Sequence, residues 1–479
     1  MHGGETHDDV PGAIEASRPA IERICDEVWQ LAETSFQEVK SSQLHRDELE
    51  AAGFTIVSTG TAGVPTAFVA EWSQGEGGPN VGFLPEYDAL PGLGNAAVPR
   101  QEARSDGVTN GHACGHNLLG AGLTGAAIAS KRVAEKRAIP ATVRVYGCAS
   151  EETEGAKVYM AREKLFDDLD ACLHWHPAPV AGVANVRLAS ASMMKIDFHG
   201  RTAHAGLEPW KGRSALDAME LAAHALNLMR EHLEPTARVH YIFEVAGEAP
   251  NIVPDYARMF LTLRDADRAR VVATTEWVRQ LVEGAARATQ TTAHARVYAG
   301  MHDLLPNAPL AERMQEHLEH VGTPSWDEGE QAFARECQRE LGLDEAGLAT
   351  DVLPLLNEPT LGGASDVAEV SWNAPTMGIA MPTMPRGVSL HTWAATAFAG
   401  MSIGVKGALA AATVLAHTAV DVLTDADLRT AARADFERRT DGFTYSSPLP
   451  ADQRQPIDLP DWITTDGSAE AVAGLESSA

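Results

Sequence analysis

Basic side chains are in short supply: 38 Lys and Arg stand against 66 Asp and Glu, a net charge of −28 that would repel a phosphate backbone. Nucleic acid and anionic membrane surfaces are therefore excluded as first choices of partner. Cysteine is also sparse. Cys25, Cys114, Cys148, Cys172 and Cys337 are an odd, scattered set, and no disulfide framework is expected from them. No long apolar run is free of interruption: the longest, Trp393 to Leu423, consists largely of Ala, Gly and Thr and is broken by Lys406, His417 and Asp421. It reads as a tightly packed core helix rather than a membrane span. Met1 to Ile14 is polar and acidic, with neither a basic nor an apolar leader region, so a cytoplasmic location is expected. Several catalytic signatures are missing, namely G-x-S-x-G, G-x-x-x-x-G-K-[ST], H-E-x-x-H and C-x-x-C. The last absence also argues against a zinc nucleobase deaminase. Gly92, Gly94 and Ala97 fit a loose dinucleotide fingerprint, but Pro91 and Pro99 flank them and leave no helix N-terminus for a pyrophosphate.

What is present is ordinary globular material, 44% hydrophobic over 479 residues, enough for two or three domains. Apolar residues at helical spacing predict helices over Ile14 to Glu33 and Ser42 to Ala52, the second closed by Gly53. Short β-branched runs at Thr66 to Trp72, Val81 to Leu84 and Thr142 to Tyr146, with a helix His116 to Lys136 between the last two, imply a largely parallel α/β sheet. The pattern changes near Ser190. Strands at Met194 to Phe198, His240 to Val245, Met259 to Leu263 and His294 to Tyr298 alternate with helices Ser214 to Leu233 and Ala266 to Gln290. That order, βαββαβ, is a ferredoxin-like split sandwich. Residues 190–304 carry 13 basic and 14 acidic side chains, so nearly all of the net charge lies outside this insert. Helices return at Pro309 to His320, Glu330 to Leu341 and from near His391. The expected layout is a discontinuous α/β catalytic domain, residues 1–189 and 305–440, interrupted by a lid at 190–304 and followed by an extended or partly disordered tail at 441–479.

Four clusters sit where strands end or helices begin. Gly111 to Asn117 (GHACGHN) is a Gly-rich turn carrying His112, Cys114 and His116, and a thiolate beside an imidazole suits zinc and its neighbours. Ala149 to Glu154 (ASEETE) places Glu151 beside Glu152, and burying such a pair is costly unless a cation or a proton intervenes. His174 to Pro177 (HWHP) and Leu390 to Thr392 (LHT) add further imidazoles. Taken singly, each has an ordinary structural explanation: a C-x-H turn is more often structural, a Glu-Glu pair is most often a solvated helix start, and His391 fits a cap position. Together they put soft, imidazole and carboxylate donors at strand-to-helix corners, where open α/β sheets bind ligands. His317 and His320 lie in a polar helix and are expected at the solvated surface.

The combination EYDALPG, GHACGHN, SEETEGA, HWHP, TAHAG, GASD and SLHTW, in that order along the chain, resembles the two-metal amidohydrolases and carboxypeptidases. These include aminoacylases, carboxypeptidase G and plant auxin-conjugate hydrolases, and the resemblance is strongest to the aminobenzoyl-glutamate utilization protein B branch. It implies an α/β catalytic domain interrupted by a ferredoxin-like lid that dimerises, in agreement with the layout above. Position by position, it implies that Cys114 bridges two divalent metals, zinc or manganese, with His116 and His176 on one and Glu152 and His391 on the other. Glu151 matches the general base and Asp88 the acidic residue that orients a ligand from behind. His204 in TAHAG, Asn251 in PNIVP and Arg264 in LTLRD match substrate contacts. Two positions depart from the pattern: many relatives carry Asp where Asn117 stands, and the wider family has a metal-binding His where Glu86 stands.

The implied activity is metal-assisted hydrolysis of an N-acyl or N-aroyl amino acid, aminobenzoyl-glutamate leading, with a dipeptidase or general aminoacylase as the alternative. A metal-binding scaffold without turnover is the reading of another class, and Glu151, a carboxylate that a structural metal does not need, counts against it. The expected partners are the small-molecule substrate and a second copy of the chain, paired through the near-neutral lid so that His204 reaches the other copy's metals. That branch also implies a second subunit type.

Overall fold

The computed structural model describes residues 6–456. The first long helix, Val10–Leu31, buries Val10, Ile14, Ile21, Ile24 and Val28 on one face, as its spacing requires. The next, Val39–Ala51, is followed by Gly53 at φ +89°. The main sheet has seven strands in the order Thr55–Thr59, Phe68–Gln74, Ala141–Gly147, Asn80–Phe83, Ala171–Ala178, Thr376–Pro382 and Gly182–Val183.

The four central strands run parallel, but the outer pairings are antiparallel, so the expectation of a largely parallel sheet is corrected to a mixed one. The reason is chain length. Only residues 75–79 join Phe68–Gln74 to Asn80–Phe83, and a parallel crossover needs about a dozen residues.

Helix His116–Lys136 is buried along nearly its whole length between the sheet and the helices Val10–Leu31 and Ser402–Thr424. Its small residues make that possible: a Cβ at Gly125 would stand 2.3 Å from the Ile21 side chain. The apolar stretch from Trp393 is two helices, Trp393–Ala399 and Ser402–Thr424. The second is long and apolar enough to cross a membrane, yet 78% of that window is packed inside the protein.

The insert is a four-stranded antiparallel sheet ordered Thr292–Met301, Ser190–His199, Tyr256–Asp265, Arg238–Val245, together with the helices Ala215–Met229 and Arg268–Thr289. This is the ferredoxin-like strand order that the βαββαβ pattern predicts. Its edge strand Arg238–Val245 is mostly exposed and carries Ile242 and Phe243, 60% and 40% accessible.

Two expectations need correction. From Asp441 to Pro456 the chain forms no helix or strand, but it is not loose. The Tyr445 hydroxyl donates to Glu369 at 2.5 Å, Gln453 Nε2 donates to the Tyr298 carbonyl at 2.9 Å, and Leu449 is buried, so this segment straps the lid to the catalytic part. The remainder of the tail lies outside the described residues. His317 is not solvated: helix Ala308–Val321 packs on Ser402–Thr424, and its Nε2 donates to Asp421 at 2.6 Å. His320 is exposed, as expected. All five cysteines are free and buried.

Candidate active site

The four parallel strands deliver the chemistry at their carboxyl ends. Glu86 and Asp88 follow Asn80–Phe83, Glu151 and Glu152 follow Ala141–Gly147, and His176 lies near the end of Ala171–Ala178. Cys114 and His116 sit where the GHACGHN turn enters the central helix, through Gly115 at φ +76°. A side chain at Gly115 would also collide with Pro177, its Cβ falling 2.8 Å from that ring, so glycine is required twice over. His391 and Ser150 hold positive φ, +59° each, without being glycine. The backbone N–H of His391 donates to the Ala113 carbonyl at 2.9 Å, pinning this strained residue over the turn.

The side chains converge on Cys114. Its Sγ is 3.5 Å from His176 Nε2, and His176 Nδ1 donates to the Pro177 carbonyl, which leaves Nε2 facing the thiol. The ligand atoms of Cys114, His116 and His176 lie within 4.8 Å of one another, as do those of Cys114, Glu152 and His391 and those of Glu86, His116 and Glu151. His391 Nε2 is 3.3 Å from Glu152 Oε1. Asp88 lies behind the cluster: it accepts from His116 Nδ1 at 2.9 Å and from the Glu152 backbone N–H at 3.0 Å, with the Ser35 hydroxyl at 3.1 Å. His116 Nε2 is thereby turned inward.

The charges in this cluster oppose their burial. Burial resists ionisation of Cys114, but His176 and His116 outweigh it and hold the thiol well below its usual range. His116 is raised in return: burial opposes its charge, and Cys114 and Asp88 overcome that. Glu151 is pushed well up, first by burial and then by the carboxylates of Glu86 and Asp366, and burial raises Glu152 as well. His391 is raised to about 10 by the close approach of Cys114 and Glu152. His116 Nε2 and Glu152 Oε1 are both buried without a hydrogen-bond partner. Orphaned donor atoms, a thiolate and crowded carboxylates are what a divalent cation would satisfy, so the residues fit the metals the sequence implies.

Other expected residues lie apart. His204, on the lid, is exposed, and its Nδ1 accepts from the N–H groups of Gly206 and Leu207. Asn251 is exposed on the facing loop, where its carbonyl accepts from Ala205 N–H. Arg264 Nη1 reaches from the lid to the Gly362 carbonyl at 3.0 Å. His112 is buried with its Nε2 on the Val28 carbonyl and His174 is half-buried, and neither belongs to the donor triads above. Asn117 donates to the Cys25 and Ala399 carbonyls, a role in helix packing that an aspartate could not fill.

Lys157 escaped the sequence reading. Fully buried, its Nζ is 2.7 Å from Glu86 and 2.5 Å from Asp366, so it neutralises the carboxylate standing where the wider family has a histidine. The available signal was a lysine in the first turn of a helix, where the dipole disfavours a cation. Glu38 was also missed. It is fully buried, accepts from Thr66 and the Ser150 N–H, and so supports the turn that carries Glu151.

Comparison with known proteins bears on this geometry. A profile described as a peptidase dimerisation domain matches residues 187–290. One of the two kinds of subunit named for the p-aminobenzoyl-glutamate hydrolase of Escherichia coli is 36% identical over 468 residues, covering 92% of this chain and 97% of that protein. The Xaa-Arg dipeptidase of Mus musculus is 28% identical over 424 residues, covering 86% and 87%. Among solved structures, a dinuclear metal-binding peptidase of the M20 family from Bacillus subtilis superposes with a TM-score of 0.55 at 19% identity, over 85% of this chain and 99% of that one.

Proposed function

The chain belongs to the M20 peptidase family, and from that premise we propose that its substrate is p-aminobenzoyl-glutamate or a close N-aroyl amino acid. It is a metal-dependent amidohydrolase acting on N-acyl or N-aroyl amino acids. The observation that carries this reading is Cys114 shared between two donor triads, with Glu151 beside them.

In this assignment Cys114, His116 and His176 would hold one cation and Cys114, Glu152 and His391 the other. When bound, divalent cations, zinc or manganese, supply Lewis-acid polarisation of the scissile carbonyl and make water more acidic. The remaining steps belong to the chain. Glu151 accepts the proton of the attacking water as the new C–O bond forms, then passes it to the amine nitrogen as the carbonyl is restored and the C–N bond breaks. Asp88 fixes the His116 tautomer. His204 donates to the carbonyl oxygen as it gains negative charge. Arg264 and Asn251 hold the carboxylate of the leaving amino acid, a task suited to a guanidinium fork.

The matched dimerisation domain makes the protein a homodimer, and the exposed apolar edge Arg238–Val245 supports pairing at the lid. A cytoplasmic site fits five free thiols. The E. coli relative is named as one subunit of a hydrolase, so we include a second subunit type among the partners to be sought.

The test is a screen of zinc- and manganese-loaded protein against aroyl-glutamates, other acyl amino acids and dipeptides, read as kcat/KM. The highest value on p-aminobenzoyl-glutamate is expected. Preference for dipeptides would replace the substrate assignment and leave the chemistry standing.

A further inference from the structure

A second group of ligating side chains lies outside the active site. His7 comes from the segment ahead of the first long helix, His317 from helix Ala308–Val321, and His417 with Asp421 from helix Ser402–Thr424. None of the four serves the amide hydrolysis derived above. His417 and Asp421 are four residues apart, so one helix face presents both.

The contacts are close. His7 Nδ1 is 2.9 Å from His417 Nδ1, His7 Nε2 donates to Asp421 Oδ1 at 2.9 Å, and His317 Nε2 donates to Asp421 Oδ2 at 2.6 Å. A ligating nitrogen from each histidine lies within 4.8 Å of the other two. The His317 and His417 rings stack at 5.2 Å, and His7 stands 5.1 Å from each.

We propose that His7, His317 and His417 form a separate site for one divalent transition-metal ion of the zinc type, with Asp421 holding His7 and His317 in place, tying the N-terminal segment to the two helices. Three imidazoles drawn from three elements are a zinc-type donor set, and a carboxylate that accepts from ring nitrogens of His7 and His317 fixes their orientation. His417 is pushed down to about 3, by burial first and then by His317 and His7, so it offers a neutral nitrogen. Among the described residues Arg313 is the cation against the site, 2.8 Å from Asp421 Oδ2, and it has alternative anchors in Asp425 at 3.2 Å and Glu316 at 3.3 Å. His320 borders the group edge-on to His417.

The test uses the full chain, stripped with chelator, incubated with zinc, passed through gel filtration into metal-free buffer and counted by elemental analysis. Wild type should retain one zinc per chain more than His317→Gln or His7→Ala, while both variants keep wild-type turnover. Zinc should also raise the melting temperature of stripped wild type by more than that of either variant. Should His317→Gln fail to fold, His7→Ala decides alone, since His7 precedes the packed helices. Equal zinc content in wild type and His7→Ala would overturn the proposal and leave the cluster as a hydrogen-bonded contact.

Discussion

Glu151 and Glu152 are adjacent and chemically identical, yet their surroundings divide them. Glu152 is anchored through its own backbone to Asp88 and pairs with His391, whereas Glu151 faces Glu86 and His116. Glu151→Gln should therefore keep both metals and lose turnover by about 10²- to 10⁴-fold, while Glu152→Gln should lose one metal. Elemental analysis beside kinetics reads both outcomes, and a Glu151→Gln protein emptied of metal would refute the division. Three other histidines set the acid response. His45, His112 and His174 are each pushed down to about 3 by burial, so they are neutral in the fold while the unfolded chain protonates them below 6.5. The unfolded state thus binds more protons between pH 6.5 and 3. Stability is fully present above that window and falls with pH, by up to about 1.4 kcal/mol per unit for each histidine. Urea melts between pH 7 and 5 should show a shallower slope in His45→Gln. At this scale the side chains that converge on Cys114 were legible because each stands in a motif at a strand or helix end. Lys157 and Glu38 were not, because a buried charge is explained only by partners distant in sequence, Asp366 for one and Ser150 for the other.

Periodicity shows which residues form an element and not which face meets which neighbour. Helix His116–Lys136 was readable to its ends, and the βαββαβ order of the insert was legible although its strands run past the stretches that marked them. The antiparallel outer pairings were less visible, since strand runs look alike whichever way they point. His317 was misread for the same reason: its helix is polar overall, but the face carrying Leu310, Met314 and His317 is turned to another helix. The break at Gly400 is a packing feature too, for a Cβ there would lie 2.5 Å from the Trp29 ring. The contact between the central helix and Val10–Leu31 offers a test. Gly125→Ala places a methyl 2.3 Å from both Ile21 Cδ1 and Cγ1 and should cost about 1 to 3 kcal/mol. Adding Ile21→Ala should cost less than the sum of the two single changes, and strict additivity in denaturant melts would mean that the two helices do not meet there.

On the scale of the whole molecule, the charge distribution and the domain insertion describe one design. A chain of net charge −28 keeps its lid near neutrality, and that lid carries both the matched dimerisation domain and an exposed apolar edge strand. Within its own chain His204 accepts from Gly206 and Leu207 of its own loop and is exposed, and the proposal that it serves the other copy has a direct test. His204→Ala and Glu151→Ala chains, each inactive alone, should regain part of the activity when mixed and exchanged, because one hybrid site then holds both native groups. No recovery despite exchange seen by native mass spectrometry would place His204 outside the partner's site. The central claim, metal-dependent hydrolysis at the Cys114 cluster, is tested most directly by following p-aminobenzoyl-glutamate cleavage through chelator stripping and reloading with zinc or manganese. Turnover should vanish with the metal and return with it in wild type, but not in Glu151→Gln, whose metal content recovers; turnover that persists in fully stripped protein would contradict the account.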